Sequence, residues 1–513
     1  MNRVLISAAH KSSGKTTVSI GLCAALRARG LAVQPFKKGP DYIDPMWLTA
    51  ASGRDCDNLD FYLMGHDEIR ATTLRRADGA DIAIIEGNKG LYDGLDLDGS
   101  NSNAALARLL DCPVVLVIDA RGMTRGIAPL ILGYQAFEPG VRIAGVILNQ
   151  LGGSRHESKL RAVIEHYTNV PVVGAVHHDD RLGIVERHLG LMPSNESSEP
   201  RARIAAIAEV IAQSVDLDRL LAIAGTAAPL SVADHPPPSF PFPATPPAPQ
   251  ESPGQPSVAA RSRGGRSTGA SALPPLAPPA REGDEPSALR AAPIRLGIAR
   301  DAAFGFYYPG DLEALRAAGA ELVPFDTLRD TRLPAVDALF IGGGFPETHM
   351  QQLEANRTLR RDIHDAIDRG MPAYAECGGL MYLSRSLAWG GRRCEMVGVI
   401  PADTVMHDRP MGRGYVRLRE TGRGPWPSAP TGAEVRAHEF HYSSLENVDP
   451  GLQFAYDVLR GTGIDGRHDG IVHKNLLACY THMRHLASNP WADRFVGFVR
   501  QCRSHNRRQQ AAS

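Results

Sequence analysis

A cysteine set between an apolar run and two glycines is the residue of the chain best placed for covalent chemistry. Residues 371–379 read MPAYAECGG, so Cys377 follows a short strand-like run and precedes Gly378 and Gly379. The glycines let the backbone bend sharply and let a substrate approach, as a nucleophile on a strand-to-helix turn requires. A thiolate at such a turn attacks an electrophilic carbon and forms a covalent intermediate. The stretch matches the pattern G-x-C-x-G with Ala375 at the first glycine, and alanine is small enough to keep the turn feasible.

This chemistry also needs oxyanion donors and a base. The loop GGGFPE, residues 342–347, offers backbone N–H groups to add to that of Gly378, and we assign Gly343 and Gly344 to this role. The alternative for these glycines is simple loop flexibility after a strand. The base is expected to be a histidine from later in the chain. The candidates are His438, His441, His473, His482 and His485.

A second chemical feature is the stretch AHKSSGKTT, residues 9–17, between a strand-like run and an amphipathic helix-like stretch. It fits the P-loop pattern G-x-x-x-x-G-K-[ST], with Ala9 at the first glycine. Backbone N–H groups at a helix N-terminus would cradle phosphates, Lys15 would reach the β and γ oxygens, and Thr16 would bind Mg²⁺. An ordinary Ser/Gly helix start is the alternative, but the strand–loop–helix context favours a nucleotide site. The predicted nucleotide contacts here are Ser13, Gly14, Lys15, Thr16 and Thr17.

Acidic residues follow two later strand-like runs. KKGPDYIDP, residues 37–45, carries Asp41 and Asp44, and IIEGNKGLYDG, residues 84–94, carries Glu86. Acids at the carboxyl ends of parallel strands face the ligand crevice, so Asp41 and Glu86 are predicted to complete a Mg²⁺ shell with Thr16. Turn capping remains an alternative for the two aspartates, and a strand-terminal surface acid remains one for Glu86.

The elements that must position these residues are of the α/β kind. Short β-branched runs such as VLISAA, DIAIIEG and PVVLVIDA alternate with helical stretches such as TTVSIGLCAALRARG. Such alternation predicts a mainly parallel sheet covered on both faces, and the later part repeats the style with RLGIARD, ALFIGGG and PAYAECGG. Between the two parts, proline, alanine, serine and glycine dominate, which predicts a disordered linker; a collapsed lid is the alternative. The predicted boundaries are 1–225, 226–293 for the linker, and 294–503.

The totals exclude several classes of protein. The 513 residues carry 56 basic and 56 acidic side chains, so a nucleic-acid footprint or a polybasic membrane patch is not expected. The seven cysteines are scattered without a CxxC pair, which argues against a zinc ribbon and suits a reducing compartment. Neither a signal peptide nor a membrane-spanning run is apparent. We therefore expect a soluble cytoplasmic protein.

Nine motifs in order resemble those of the glutamine-dependent cobyrinic (or hydrogenobyrinic) acid a,c-diamide synthases. They are AHKSSGKTT, KKGPDYIDP, EGNKGLYDG, ERHLGL, ARDAAFGFYYP, GGGFPE, AYAECGGLMYL, HEFHYS and CYTHMRHLASNP. The resemblance covers both predicted folded parts. It implies a dethiobiotin-synthetase-like ATPase domain joined to a class I-type glutamine amidotransferase domain. It further implies that ATP, with Mg²⁺, activates peripheral carboxylates of a tetrapyrrole as acyl phosphates, which ammonia from glutamine converts to amides.

The resemblance also implies roles by position in the ATPase part. Lys15 and Thr16 would hold ATP and Mg²⁺ with Asp41 and Glu86. Asn149, in ILNQ, matches where related ATPases meet the adenine, although a plain turn residue is nearly as good an interpretation. The positions that the family uses around its tetrapyrrole substrate are matched by Tyr42, Ile43, Asp44 and Asp93.

In the amidotransferase part, the resemblance selects the base. Cys377 would form a thioester with glutamine, and His482 matches the histidine of the family's Y-x-H motif. Class I triads usually carry a glutamate two residues past this histidine, where this chain has Arg484. A Cys377–His482 dyad is therefore expected, with the orienting group unidentified. The resemblance leaves a homodimer open.

Three residues depart from the expected pattern and leave the substrate open. Asn88 and Lys89 stand where the corrinoid-making members usually have apolar residues, and Lys38 stands where a smaller or apolar one is usual. Added ammonium groups near a polycarboxylate affect which tetrapyrrole is bound. Cobyrinate is the first expectation, and the sirohaem-amidating DsrN-type branch, or nickel sirohydrochlorin amidation, is the alternative. From another class, a ParA/MinD-like ATPase switch would share the P-loop but has no use for AECGG or GGGFPE.

Overall fold

The structure is a computed structural model, and it describes residues 1–184, 186–187, 190–196, 199–231, 293–426 and 432–512. Most of the predicted linker, residues 232–292, therefore lies outside the described residues. The N-terminal part (residues 1–231) and the C-terminal part (residues 293–512) belong to one compact unit. Within the described residues, no helix is both long and apolar enough to cross a bilayer.

The N-terminal part alternates strands and helices. Its strands are β1 (Arg3–Ala8), β2 (Val33–Lys38), β3 (Asp57–Leu59), β4 (Ile82–Glu86), β5 (Val114–Asp119), β6 (Ile143–Leu151), β7 (Val172–His177), β8 (Glu186–Arg187) and β9 (Gly190–Leu191). Its helices are α1 (Lys15–Ala28), α2 (Ile43–Ser52), α3 (His66–Arg76), α4 (Asn103–Leu109), α5 (Ile127–Phe137), α6 (Ser154–Tyr167), α7 (Pro200–Ser214) and α8 (Leu217–Ala224). A short 3-10 turn covers Asp180–Leu182.

Seven of these strands form one parallel sheet in the order β3-β2-β4-β1-β5-β6-β7. Successive residues of β1 point to opposite faces: Leu5 joins one apolar cluster, and Val4 and Ile6 join the other. Both faces are therefore buried under helices, as the continuous apolar runs predict. The carboxyl ends of β1, β2 and β4 meet at one edge, so the P-loop and the acidic loops lie together there.

The C-terminal part is larger in strand number. Its strands are β10 (Ile294–Ala299), β11 (Phe304–Phe306), β12 (Ala320–Phe325), β13 (Ala338–Ile341), β14 (Gly343–Gly344), β15 (Ala373–Glu376), β16 (Ser384–Trp389), β17 (Arg392–Glu395), β18 (Ile400–Met406), β19 (Gly412–Glu420), β20 (Glu434–His441), β21 (Ser443–Glu446), β22 (Gln453–Arg460), β23 (His468–His473) and β24 (Leu476–Cys479). Its helices are α9 (Pro309–Ala317), α10 (Met350–Ala355), α11 (Arg357–Asp368), α12 (Gly378–Leu383) and α13 (Trp491–Ala512), with a 3-10 turn at Pro346–His349.

Its main sheet is mixed, in the order β12-β10-β13-β15-β24-β23-β22-β19-β20. The first five strands are parallel, and the rest continue as antiparallel neighbours. A separate four-stranded sheet has the order β17-β16-β18-β21. The prediction of two α/β parts, the first with a parallel sheet, is confirmed.

The two parts touch through specific polar contacts. The hydroxyl of Tyr415, on β19, donates to Asp60 Oδ2 at 2.8 Å, and Arg75, at the end of α3, pairs with Glu313 of α9 at 3.2 Å. Residues 226–231 continue along the N-terminal part, where the carbonyl of Ala228 accepts from the Arg3 guanidinium. The contacts place the edge of the N-terminal sheet against β19 and the loops of the C-terminal part.

Candidate active site

Cys377 occupies a tight turn between β15 and α12. Its backbone has φ 47° and ψ −100°, a conformation that non-glycine residues adopt only under constraint. Its N–H donates to the carbonyl of Cys479 at 2.8 Å, which fixes the turn to the neighbouring strand β24. A Cβ at Gly379 would lie 2.1 Å from the carbonyl oxygen of Ile341, so only glycine fits there. The strand-to-helix turn predicted for this cysteine is therefore present, and its side chain is buried at the carboxyl edge of the sheet.

The loop expected to supply oxyanion donors lies directly beside this turn. A Cβ at Gly378 would lie 2.9 Å from the backbone nitrogen of Gly344, and one at Gly343 would lie 2.6 Å from the His482 ring. The three predicted glycines therefore surround the cysteine. Next to them is a cavity of about 170 Å³, large enough for an amino-acid side chain, whose lining includes Cys377, Glu347, Tyr442 and His482.

His482 interacts with both the cysteine and a buried carboxylate. Glu376 Oε2 lies 3.4 Å from His482 Nδ1, while its Oε1 accepts from the Tyr374 hydroxyl at 2.6 Å and from the Met483 N–H at 2.9 Å. Burial by itself lowers the pKa of His482, but hydrogen bonds and charge interactions with Cys377 and Glu376 outweigh it and raise the pKa to about 10. The imidazole is therefore held as a cation beside the thiol.

Glu376 is the group that sequence reasoning missed. The position two residues past the histidine is occupied by Arg484, whose guanidinium lies over the Tyr308 ring at 5.1 Å. The orienting carboxylate comes from the residue before the nucleophile, on a different strand. The sequence contained one signal, an acid inside the otherwise apolar run AYAECGG, which needs a partner because it is buried.

Of the other candidate histidines, His438 and His441 line the same cavity as Cys377, and His473 and His485 do not. His438 stacks on His482 with ring centroids 5.0 Å apart, and burial together with the charges of His482 and Arg484 holds its pKa well below the usual value. His441 Nδ1 lies 2.8 Å from the Ser443 carbonyl. His473 and His485 lie near surface aspartates. A neutral His438 supports the ring of His482 without competing for its proton.

The stretch predicted to be a P-loop joins β1 to α1, in the strand–loop–helix order that its sequence predicts. Gly14 has φ 83° and caps α1, which begins at Lys15, so the helix N-terminus faces the loop. Asn149 Nδ2 donates to the carbonyl of Ser13 at 2.9 Å, so this amide braces the loop directly. A cavity of about 190 Å³ beside it is lined by Gly14, Thr17, Asn149 and residues around Asp179. The position suits a nucleotide base next to the Asn149 carboxamide.

The acidic loops meet at Thr16. The acids that contact it are Glu86 and Asp44, whereas Asp41 and Glu86 were predicted. The Thr16 hydroxyl donates to Glu86 Oε1 at 2.5 Å and lies 3.3 Å from Asp44 Oδ2. Asp41 instead accepts the N–H groups of Ile43 and Asp44 at 2.9 and 3.2 Å, the capping role weighed as its alternative. Burial and the Asp44 charge raise the pKa of Asp41 to about 7.

Lys37 is a further residue that the sequence did not single out. Its buried ammonium contacts Asp44, reaches Glu86 Oε1 at 3.0 Å and lies 3.8 Å from Asp41 Oδ2. Glu86 Oε2 is buried and has no hydrogen-bond partner among the described residues. A free carboxylate oxygen beside a threonine hydroxyl and a second carboxylate is a hard-oxygen donor set, which fits Mg²⁺. The residues that would hold it are Thr16, Glu86 and Asp44.

Tyr42 and its neighbours connect this edge to the cysteine turn. The Tyr42 ring lies 5.1 Å from the His482 ring and 4.6 Å from the Tyr308 ring, and both Tyr42 and Ile43 line the cavity that contains Cys377. Residues 42–44 therefore place Asp44 in the acidic cluster and Tyr42 at the cavity that contains the thiol. Asp93 lies apart from them, in a larger cleft, where its Oδ2 accepts the Gly90 N–H at 2.8 Å.

Comparisons with known proteins agree with this division. Residues 5–191 match the CobQ/CobB/MinD/ParA nucleotide binding domain, and residues 295–490 match the CobB/CobQ-like glutamine amidotransferase domain. A P-loop α/β part joined to such an amidotransferase part defines a glutamine-hydrolysing amide ligase. More particularly, the chain belongs to the cobyrinate a,c-diamide synthase family.

Full-length relatives carry that assignment. The chain is 44% identical over 499 residues to the cobyrinate a,c-diamide synthase of Magnetococcus marinus, covering 97% of each chain. It is 40% identical over 521 residues to the protein of the same name from Methanosarcina acetivorans, covering 96% of this chain and 94% of that one. The PurLQS structure from Thermotoga maritima aligns with 41% of this chain and 97% of its own at 16% identity, with a TM-score of 0.32.

Proposed function

We propose that this protein uses ATP and glutamine to amidate the a and c peripheral carboxylates of cobyrinate, in cobalamin biosynthesis. The observation that carries the reaction is the segment of residues 41–44, which contacts both the acidic cluster beside the P-loop and the cavity at Cys377. The substrate follows from the two full-length relatives, both named for it. The sirohaem alternative is not favoured by these relatives, and an ATPase switch leaves the amidotransferase part without a purpose.

The amidotransferase part would generate ammonia. The Cys377 thiolate attacks the carboxamide carbon of glutamine while the N–H groups of Gly378 and of the Gly343–Gly344 loop face the developing oxyanion. His482 then gives its proton to the leaving nitrogen, the C–N bond breaks, and a thioester remains. Water activated by the neutral imidazole hydrolyses the thioester, which releases glutamate and restores the thiol.

The ATPase part would activate the acceptor. A peripheral carboxylate oxygen bonds to the γ-phosphorus of ATP as the bond to ADP breaks, and Lys15 stabilises the transferred phosphoryl group. Mg²⁺ bound by Thr16, Glu86 and Asp44 would neutralise phosphate charge. Ammonia then adds to the acyl carbon and phosphate leaves. The reaction is repeated at the second carboxylate.

Tyr42 lies between the cysteine site and the acidic cluster beside Thr16. It packs on His482 while Asp44, two residues further on, contacts Thr16 and Lys37, so residues 42–44 connect the thiol site with the acidic cluster. We infer that Tyr42 and Ile43 act at the junction of the two sites, besides facing the acceptor. Mg²⁺, a cytoplasmic location, a homodimer and the domain boundaries at 225 and 293 stay predictions.

A panel of acceptors tests the proposed substrate. Purified protein with ATP, Mg²⁺ and glutamine is offered cobyrinic acid, hydrogenobyrinic acid and sirohaem in separate reactions, and products are resolved by mass. Conversion of each carboxylate to an amide lowers the mass by one unit. Two successive losses on cobyrinic acid support the proposal, whereas amidation of sirohaem alone contradicts it.

The orienting role of Glu376 gives a separate prediction. Glu376→Gln keeps the acceptor for Tyr374 and Met483 but removes the charge that helps to raise the pKa of His482. A raised histidine pKa keeps the acid form present up to that pKa, so lowering it must move the alkaline limb of the glutaminase profile to lower pH. We expect kcat/KM for glutamine to fall about 10²-fold, measured from pH 6 to 11.

The ammonia-dependent reaction of the same enzyme serves as the control for this variant. Amide synthesis from added ammonium chloride does not use His482 and should match the unmodified protein at each pH. A loss of glutaminase activity whose pH profile keeps its alkaline limb would mean that Glu376 has only a structural role.

A further inference from the structure

A large cleft lies between the two parts, on the same edge of the N-terminal sheet as the P-loop. Its volume is about 1070 Å³, which is in the range of sites for large organic ligands. The N-terminal part contributes Lys38, Asn88 and Lys89 to its lining, and the C-terminal part contributes four arginines. These are Arg413, Arg417, Arg436 and Arg460.

Three of the arginines stand in one row across three adjacent strands. Arg417 of β19 is directly opposite Arg436 of β20 on one side and Arg460 of β22 on the other. Directly opposed residues of antiparallel strands project from the same face, and like charges in this arrangement repel each other. The row therefore costs folding stability unless an anion lies against it.

The next row of the same sheet shows the ordinary arrangement. Arg419, two residues along β19, is opposite Glu434 and Asp457, and it pairs with Asp457 at 3.0 Å. In the cleft row, Arg417 has one acidic partner, Glu434 at 3.6 Å, which is not among the residues that line the cleft. Arg413, Arg436 and Arg460 have no ion-pair partner among the described residues. Of these two rows, the one that lines the cleft therefore carries the excess of positive charge.

A pair of tyrosines keeps this wall in place. Tyr62 and Tyr415 stack with ring centroids 4.4 Å apart, and the Tyr415 hydroxyl binds the buried carboxylate of Asp60. The guanidinium groups of Arg436 and Arg460 lie 5.5 and 5.6 Å from the centre of the Tyr62 ring. The arginines are therefore positioned on a rigid aromatic support that bridges the two parts.

The opposite wall is cationic as well. Lys38 is buried and donates to Asn88 Oδ1 at 3.2 Å, and Lys89 projects nearby. Burial lowers the pKa of Lys38 to about 8. The charges of Lys89 and Lys37 lower the pKa as well, and the charge of Asp60 offsets only part of this shift. A carboxylate that enters the cleft would therefore stabilise the charged form of Lys38.

The acids of the cleft are fewer than its basic groups and offset only part of their charge. Asp60 is engaged by Tyr415, Asp93 accepts the Gly90 N–H, and Asp96 accepts from Asn101 at 2.8 Å. Six Lys and Arg side chains thus face three acids, each of which already accepts a hydrogen bond on at least one oxygen.

We propose that this cleft binds the polycarboxylate acceptor, and that the amidotransferase part supplies, through Arg413, Arg417, Arg436 and Arg460, the wall that holds the carboxylates not being amidated. Lys38 and Lys89 hold the opposite rim. Because Asn88 lies two residues after Glu86, the ligand's remaining edge meets the ATP site. This inference rests on the proposed function for the identity of the ligand, and it gives the amidotransferase part a second role, in acceptor recognition.

The test compares Arg417→Gln, and the double variant Arg436→Gln with Arg460→Gln, with the matched control Arg419→Gln. We expect the KM for cobyrinic acid to rise about 10-fold for each lost guanidinium contact, while the KM values for ATP and glutamine stay unchanged. Binding of cobyrinic acid by equilibrium dialysis should weaken to the same extent and lose part of its dependence on salt. Arg419→Gln should behave like the unmodified enzyme, and an unchanged glutaminase rate shows that each variant is folded.

The outcomes separate the inference from the proposed function. Unchanged KM and unchanged binding of cobyrinic acid in both cleft variants would overturn the inference, with the amidation reaction intact. Equal losses in Arg419→Gln would also overturn it, because the effect would then follow surface charge in general. If the unmodified protein binds cobyrinic acid through the arginine row but makes no amide, the proposed function fails while the cleft assignment stands.

Discussion

Cys377→Ala should abolish amide synthesis from glutamine while leaving synthesis from ammonia at the rate of the unmodified enzyme. The thiol is the only group at the strand-to-helix turn that can form the thioester, so glutamine-dependent turnover is expected to fall by about 10³-fold or more. The residues proposed for the ligase step, Lys15 and Thr16 on α1 and Glu86 on β4, lie on other elements and do not depend on the sulfur. Product formation with glutamine and with ammonium chloride, measured in parallel, gives the comparison.

A second cysteine provides the matched control. Cys502 lies on α13, remote from the turn, with its sulfur near the Asn475 side chain. Cys502→Ala should retain both activities. Loss of ammonia-supported synthesis in Cys377→Ala, with the protein still folded, would contradict the assignment of two separable sites.

Lys15→Ala should have the opposite pattern. Lys15 begins α1 behind the P-loop and is the cation that would contact the transferred phosphoryl group, so its loss should reduce synthesis from either nitrogen source by about 10³-fold. Lys37 still pairs with Asp44 and Glu86 in this variant, so the acidic cluster keeps a cation and the loss is confined to the phosphate contact. Hydrolysis of glutamine to glutamate at Cys377 should continue.

The control is Lys159→Ala, an exposed lysine on α6 away from the sheet edge. It should keep synthesis and glutaminase activity together. If Lys15→Ala made amide from ammonia at an undiminished rate, the P-loop would not be the site of activation. The two variants together separate the halves of the reaction, since each removes one half and spares the other.

The structural features that are encoded by contiguous residues could be predicted from the sequence. Strands such as VLISAA and PVVLVIDA, the helix that begins at Lys15, and the turn at Cys377 are encoded by apolar runs and glycines that are contiguous. The sequence did not allow us to predict the antiparallel strands β19 to β23. Their residues alternate between buried and exposed, and this pattern is a weak signal when the neighbouring strand is unknown.

The parts that depend on register across the sheets could not be predicted. Glu376 and His482 are 106 residues apart and meet only because β15 and β24 are neighbours. The acidic cluster was found in outline, but the exchange of Asp41 for Asp44 beside Thr16 depends on how one turn of backbone is capped. The arginine row is invisible in sequence, since Arg417, Arg436 and Arg460 come together through two strand pairings.

Transfer of nitrogen from glutamine to the corrinoid can be followed directly with an isotope label. The protein is given cobyrinic acid, ATP, Mg²⁺ and glutamine labelled with ¹⁵N in its amide, in a medium that contains unlabelled ammonium. We expect a corrinoid product with amide nitrogens derived mainly from the label at both the a and c positions. A product that carries only medium nitrogen, or glutamate formed without any corrinoid amide, would contradict it.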